Sequence, residues 1–207
     1  MRIGIVGGTF DPIHLGHIQP ALAALTQLQL DKLWLMPNHI PPHKNGAHVS
    51  TEHRIAMVKD ICQQYPQFEL CDIEIERDSP SYSVTTLGLL KQTYPQHTFY
   101  FIMGMDSFVN LPSWYQWQSL FDYCHIALCA RPGWTSPTDN VMQLQLHERI
   151  CNNPTIQSDG GHIFRVDAPM LAISSTEIRQ HLQQNKPLST WLAKSTQEYI
   201  EQYQLYR

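Results

Sequence analysis

Gly7-Gly8-Thr9-Phe10-Asp11-Pro12-Ile13-His14-Leu15-Gly16-His17 is the stretch that decides how the chain folds. It follows an apolar run, residues 2–6, that reads as a buried strand, and precedes residues 18–30, which read as a helix. The order is strand, glycine turn, histidine pair, helix. Two adjacent glycines let backbone N–H groups approach a bulky anion with no Cβ in the way. A helix N-terminus, with unpaired N–H groups and the positive end of its dipole, points at the same place. Together these make an anion site that suits phosphate. His14 and His17 are three apart, so on a helix they share a face, and each ring N–H can donate to a phosphate oxygen without a metal. The spacing fits neither Gly-x-x-x-x-Gly-Lys-Ser/Thr nor Gly-x-Gly-x-x-Gly. A glycine pair alone is more often a tight turn, so the strand-to-helix context carries the reading.

The chain has 207 residues, enough for a substantial core and consistent with a single domain over 1–207. A hydrophobic fraction of 43% argues against disorder. A net charge of −4 excludes a general nucleic-acid-binding field. Cys62, Cys71, Cys124, Cys129 and Cys151 are odd in number, sit in or beside apolar runs and form no Cys-x-x-Cys pair. They read as buried reduced thiols, without structural zinc, in a reducing cytoplasm. No signal peptide opens the sequence and no apolar run reaches membrane length.

Apolar runs alternate with periodic ones. Strands are expected at 32–36, 98–103, 125–130 and 163–166, with one or two short pieces in 68–75. Helices are expected at 51–64, 83–94, 114–123, 140–151, 175–184 and 190–204. The 51–64 helix would be capped by Ser50 or Thr51 and bury Ile55, Val58, Ile61 and Cys62. The alternation predicts an α/β fold with a parallel, doubly wound sheet. In such sheets ligands bind beyond the carboxyl ends of the strands, so each strand exit is a candidate for chemistry.

The second strand leads into Pro37-Asn38-His39-Ile40-Pro41-Pro42-His43-Lys44. Its three prolines stiffen the loop and can hold His43 and Lys44 at a set distance from a phosphate, or leave them simply exposed. The run Glu76 to Leu87 reads as a turn into a helix capped by Ser81 or Ser83. The central strand exits at Gly104-Met105-Asp106-Ser107, where the glycine admits a ligand to the backbone. Asp106 can accept from a ribose hydroxyl or cap the short helix that follows. Trp114, Tyr115 and Trp117 are three aromatics in four positions, a pattern common in packing. Arg131 leaves the next strand and could face the same pocket. Ile173-Ser174-Ser175-Thr176-Glu177-Ile178-Arg179 is a second helix start, with Ser174 and Glu177 forming a capping box. A capped helix N-terminus with hydroxyls and an arginine one turn in is again an anion site.

The opening stretch resembles the nucleotidyltransferase signature Gly-Gly-x-Phe-Asp-Pro-x-His-x-Gly-His, and every fixed position is met. That superfamily shares its histidine motif with class I aminoacyl-tRNA synthetases; its members activate the α-phosphate of a nucleoside triphosphate and release pyrophosphate. Asn38 through Lys44 resembles Asn-x-x-Pro-Pro-His-Lys/Arg, which is narrower and typical of nicotinate mononucleotide adenylyltransferases. Arg77 through Leu87 resembles Arg-x-x-Pro-Ser-Tyr-Thr-x-x-Thr-Leu of the same family. Ser83 replaces its usual threonine, and Thr85 stands where an acidic or amide residue is common. Ile173 through Arg179 resembles Ile-Ser-x-Thr-x-x-Arg.

The resemblance runs over effectively the whole chain. It implies a Rossmann-like nucleotidyltransferase fold with a C-terminal helical part at about 174–207. It implies adenylyl transfer from ATP to nicotinate mononucleotide, giving the deamido dinucleotide and pyrophosphate. Gly7, Gly8, Thr9, Phe10, His14, His17, Gly104, Asp106, Ser174, Thr176 and Arg179 would bind ATP. Asp11, His43, Lys44, Thr86, Trp114, Tyr115 and Arg131 would bind the mononucleotide, with Thr86 and the Trp114-Tyr115 backbone at its carboxylate. His14, His17, Lys44 and Arg179 would be catalytic. Mg²⁺ would be carried with ATP, with no dedicated protein metal site. Nicotinamide mononucleotide or phosphopantetheine as acceptor, a cytidylyl transfer, or a nucleotide sensor without turnover are the alternative readings. The expected partners are small molecules, with no nucleic acid and no membrane; self-association into a homo-oligomer stays open.

Overall fold

The computed structural model describes the chain apart from residues 40–46, 78–79, 131–140, 170 and 189. Among the described residues the apolar runs form six strands. They are β1 (Arg2–Gly8), β2 (Lys32–Pro37), β3 (Phe68–Leu70), β4 (Thr98–Gly104), β5 (His125–Ala130) and β6 (Ile163–Asp167). All pair in parallel in the order β3-β2-β1-β4-β5-β6. The order turns back on itself between β1 and β4. A crevice therefore opens beyond the carboxyl ends of those two strands.

Around the sheet lie α1 (Leu15–Gln27), α2 (Thr51–Gln64), α3 (Ser83–Thr93), α4 (Met105–Val109), α5 (Leu120–Tyr123), α6 (Val141–Arg149), α7 (Ser175–Gln183) and α8 (Lys194–Gln202). Side chains alternate across the pleat and fill two cores. Leu33, Leu35, Tyr100, Ile102, Cys129 and Val166 meet Ile18 of α1, Met57 of α2, Ile178 of α7 and Ile200 of α8. Ile3, Ile5, Phe99, Phe101, Met103 and Leu128 meet Leu87 and Leu90 of α3, Phe108 of α4, Phe121 of α5 and Met142 of α6. The doubly wound α/β reading is thus the observed architecture.

Several local expectations shift. The first helix begins at Leu15 rather than Ile18, because His14 is extended and already occupies the N-cap position. The stretch 114–123 is not one helix. Gln116 takes a left-handed backbone, φ 46°, which splits it into a 3₁₀ turn at Trp117–Ser119 and the short α5. Tyr82, not Ser81 or Ser83, is the N-cap of α3, and Gly104, not Asp106, is that of α4. Only Phe68–Leu70 pairs as a strand within 68–75, and the last helix is shorter than 190–204. On α2 the buried stripe is Arg54, Met57, Val58 and Ile61, one residue around the helix from the predicted face. All five cysteines are free, and burial pushes the thiols of Cys71, Cys124 and Cys129 up to about 12.

His125 opens β5 and is fully buried against Tyr100 and Phe164. Its Nδ1 accepts the His162 N–H at 3.3 Å, so its Nε2–H donates to the Ser158 carbonyl at 3.0 Å. Burial holds the ring neutral, lowering its pKa to about 4. Between about pH 6.5 and 4 the unfolded chain binds this proton and the folded chain does not, so stability falls as pH falls through that window. Urea unfolding at pH 7 and pH 5 is expected to show a larger acid loss in the wild type than in His125→Phe, whose neutral-pH stability is lower but whose slope is shallower.

Candidate active site

The crevice at the ends of β1 and β4 holds a cavity of about 840 Å³. Its floor is Gly7, Gly8 and Thr9, one wall is His14, Gly16 and His17, and the opposite wall is Ser174, Ser175, Thr176 and Arg179 of the α7 start. A second cavity of about 290 Å³ adjoins it, lined by Asn38, Ser81, Tyr82, Ser83, Trp114 and Tyr115. Gly7, Gly8, Thr9, Ser107 and Trp114 line both. Two chambers therefore share one backbone floor.

The glycines do not form a turn. Both belong to β1 and neither has a positive φ. Their work is to leave space: a Cβ on Gly8 would lie 3.2 Å from the Phe10 ring. The left-handed residue is Phe10, φ 50°, whose buried ring stands edge-on to His17 at 5.1 Å.

The histidine pair is built as its spacing predicts. The rings lie 3.8 Å apart at 35°. His17 Nδ1 accepts the His14 backbone N–H at 3.3 Å, which leaves the ring proton on Nε2 as a donor. Burial lowers the His14 pKa to about 4, so at neutral pH this ring donates as an uncharged imidazole. Its Nδ1 is buried without a protein partner among the described residues. A Cβ on Gly16 would sit 2.8 Å from that atom, so glycine at this position is what lets the His14 ring lie where it does.

Asp11 is 5% exposed and its carboxylate is engaged inside the protein. Oδ1 accepts the Tyr206 hydroxyl at 2.9 Å, and Oδ2 accepts His48 N–H at 2.8 Å and lies 3.1 Å from His48 Nδ1. Its oxygens thus have protein partners, while the residue also lines the larger cavity. Arg179 donates to the Asp11 carbonyl at 2.7 Å and to Thr176 Oγ1 at 3.2 Å. Ser175 Oγ donates to the Pro12 carbonyl, tying α7 to the same loop. The predicted capping box is present, with the Ser174 hydroxyl accepting Glu177 N–H at 3.2 Å.

Not every candidate reaches a chamber. Thr86 is fully buried, with its hydroxyl donating to Glu74 at 2.6 Å and accepting from Arg77 at 3.1 Å, so its side chain braces α3 from behind. Asp106 is exposed on α4 and lines neither cavity; Ser107 lines both instead. Trp114 and Tyr115 do line the smaller chamber, Trp114 edge-on to Phe101 and Tyr115 tilted 36° against Tyr82 at 4.8 Å. His43, Lys44 and Arg131 lie outside the described residues.

Comparison with known proteins gives the same outline. The cytidylyltransferase-like family matches residues 5–181. A Shewanella frigidimarina (strain NCIMB 400) protein named "Probable nicotinate-nucleotide adenylyltransferase" is 63% identical over 211 residues, covering 100% of both chains. A protein of the same name from Shewanella pealeana is 52% identical over 208 residues, covering 100% of this chain and 96% of its own. Among solved structures, Plasmodium falciparum nicotinic acid mononucleotide adenylyltransferase complexed with NaAD superposes with a TM-score of 0.74 at 21% identity, over 99% of this chain and 97% of that one. That likeness speaks to the fold.

Arg54 is the site residue that helix periodicity hid. It is 1% exposed, and its guanidinium donates to the carbonyls of Thr9 at 2.7 Å and Asn38 at 2.8 Å and to Thr51 Oγ1 at 3.0 Å. One side chain thus clamps the exits of β1 and β2, the rims of the two chambers. Arg54→Leu strips donors from two carbonyls and is expected to lower unfolding free energy by about 3 kcal/mol, measured by urea titration.

Proposed function

This chain belongs to the cytidylyltransferase-like family, among its nicotinate-nucleotide adenylyltransferases, and from that membership we propose that it transfers the adenylyl group of ATP to nicotinate mononucleotide. The products are the deamido dinucleotide and pyrophosphate, a step of NAD biosynthesis. The observation that supports this best is the pair of chambers meeting over Gly7, Gly8 and Thr9. A transfer between two nucleotides needs two adjacent sites whose phosphates meet at one point.

A phosphate oxygen of the mononucleotide attacks the α-phosphorus of ATP. The new P–O bond forms in line as the bond to the bridging α,β-oxygen breaks, and that electron pair leaves with pyrophosphate. The attacking group is already an anion, so no covalent intermediate and no strong base are required. What remains is positioning and stabilisation of charge as it moves toward the leaving group. His17 Nε2–H and the His14 ring would donate to triphosphate oxygens. Arg179, Ser174 and Thr176 on the facing helix start would hold the β- and γ-phosphates. Trp114 and Tyr115 would take the pyridine end, with backbone N–H groups at its carboxylate.

Mg²⁺ would arrive with ATP. Among the described residues no group of three His, Cys, Asp or Glu side chains converges on a metal-sized point. Bound to the triphosphate, the ion would offset phosphate charge. The partners are then small molecules, and the reading places the enzyme in the cytoplasm. Among the described residues no helix is long and apolar enough to cross a membrane.

Pyrophosphate release with ATP and Mg²⁺ is the test, run in parallel with nicotinate mononucleotide, nicotinamide mononucleotide and phosphopantetheine. A large preference for the first is expected. Preference for another acceptor would discard the assignment of the smaller chamber, and ATP binding without any turnover would favour a sensor. His17→Ala should fold normally and lose on the order of a hundredfold or more in kcat, the scale of one oriented transition-state donor. Near-wild-type turnover in that variant would refute the histidine mechanism.

A further inference from the structure

We propose that Tyr206, the penultimate residue, is a positioning residue for ATP: its hydroxyl occupies Asp11 so that Arg179 stays available to the triphosphate. The inference rests on the functional reading above and concerns a residue that reading does not use.

Chain ends normally fray unless something ties them down. Here Leu205 and Tyr206 are each only 8% exposed. The backbone enters the left-handed region at Gln204, φ 51°, and again at Tyr206, φ 64°. Both are non-glycine residues, for which that conformation is unfavourable. The two bends turn the last residues inward and set the phenol 2.9 Å from Asp11 Oδ1, in the heart of the signature loop. Burial and the Asp11 charge push the phenol well above its ordinary pKa, so it remains a donor.

What that donor does follows from its neighbour. Arg179 donates to the Asp11 backbone carbonyl at 2.7 Å, yet its nearest approach to the carboxylate is 3.8 Å, an ion-pair contact too long for a hydrogen bond. A guanidinium beside a buried carboxylate favours a close, bidentate pair. Oδ1 instead accepts from Tyr206 and Oδ2 from His48 N–H, and these bonds hold the carboxylate in its present orientation. Remove the hydroxyl, and Oδ1 loses that bond, which frees the carboxylate to turn toward the Arg179 guanidinium, now 3.8 Å from Oδ2. The carboxylate and guanidinium then close on each other, and the arginine turns from the cavity it lines. Tyr206 therefore acts through Asp11 on Arg179 and touches no substrate itself.

The test is direct ATP binding by calorimetry with no acceptor present, on the full chain. Tyr206→Phe, which keeps the ring and its packing, is expected to weaken ATP binding by on the order of tenfold. In a steady-state assay it should raise the KM for ATP and leave the KM for nicotinate mononucleotide unchanged. Leu205→Ala, matched for loss of Tm, should leave ATP affinity as in the wild type. In an Arg179→Ala background the further Tyr206→Phe change should have no effect on ATP binding, because its target is gone. Equal ATP affinity in wild type and Tyr206→Phe, or an undiminished effect without Arg179, would overturn the inference and leave the proposed function standing. A wild-type chain that does not bind ATP would overturn both.

Discussion

A carboxylate removed from water must be met by donors, and at Asp11 that requirement organises the molecule. The donors come from far-apart segments: His48 after β2, the end of the chain at Tyr206, and, through the adjacent carbonyl, Arg179 of α7. Two of them, His48 and Arg179, line the crevice that strand order opens between β1 and β4. Hydrophobic packing brings α7 and α8 against the same sheet face as α1 and α2 but does not fix their ångström-scale register. Directional bonds to one buried anion do, since leaving any of them unmade carries the full desolvation penalty.

Above that anchor, the described residues of the site carry little net charge. His14 is neutral by burial, and the tautomer of His17 is set by one backbone N–H. The cations near the cavity are shared: Arg54 is committed to two carbonyls, and Arg179 divides its donors between the loop and its own helix. A floor of backbone and two helix starts supplies the rest.

Legibility in the sequence followed the range of the physics involved. Parallel strands buried on both faces leave continuous apolar runs, so β4 and β5 stood out, and Thr51–Gln64 was marked by its serine cap. The histidine pair and the Ser174–Glu177 box are local in sequence and stand as read. What could not be read was set by distant partners. Nothing within a few residues of Arg54 announces that it is wanted inside by two carbonyls 45 and 16 positions away. The burial of Thr86 needs Glu74 behind it, and the Asp11 carboxylate is met by a hydroxyl 195 positions away.

Bonding partners also separate the two chambers. Around the larger one, side chains are oriented by the signature loop itself: Arg179 by the Asp11 carbonyl, His17 by the His14 N–H and Ser175 by the Pro12 carbonyl. Around the smaller one, Tyr82, Trp114 and Tyr115 offer faces for stacking, and the α3 start behind them is braced by the Glu74–Thr86–Arg77 network. Stacking on a planar ring tolerates exchange of one substituent for another, whereas recognition of a carboxylate over an amide requires donors placed at its oxygens. Among the described residues the side chains lining that chamber include Asn38, Ser81 and Ser83, and none that is charged.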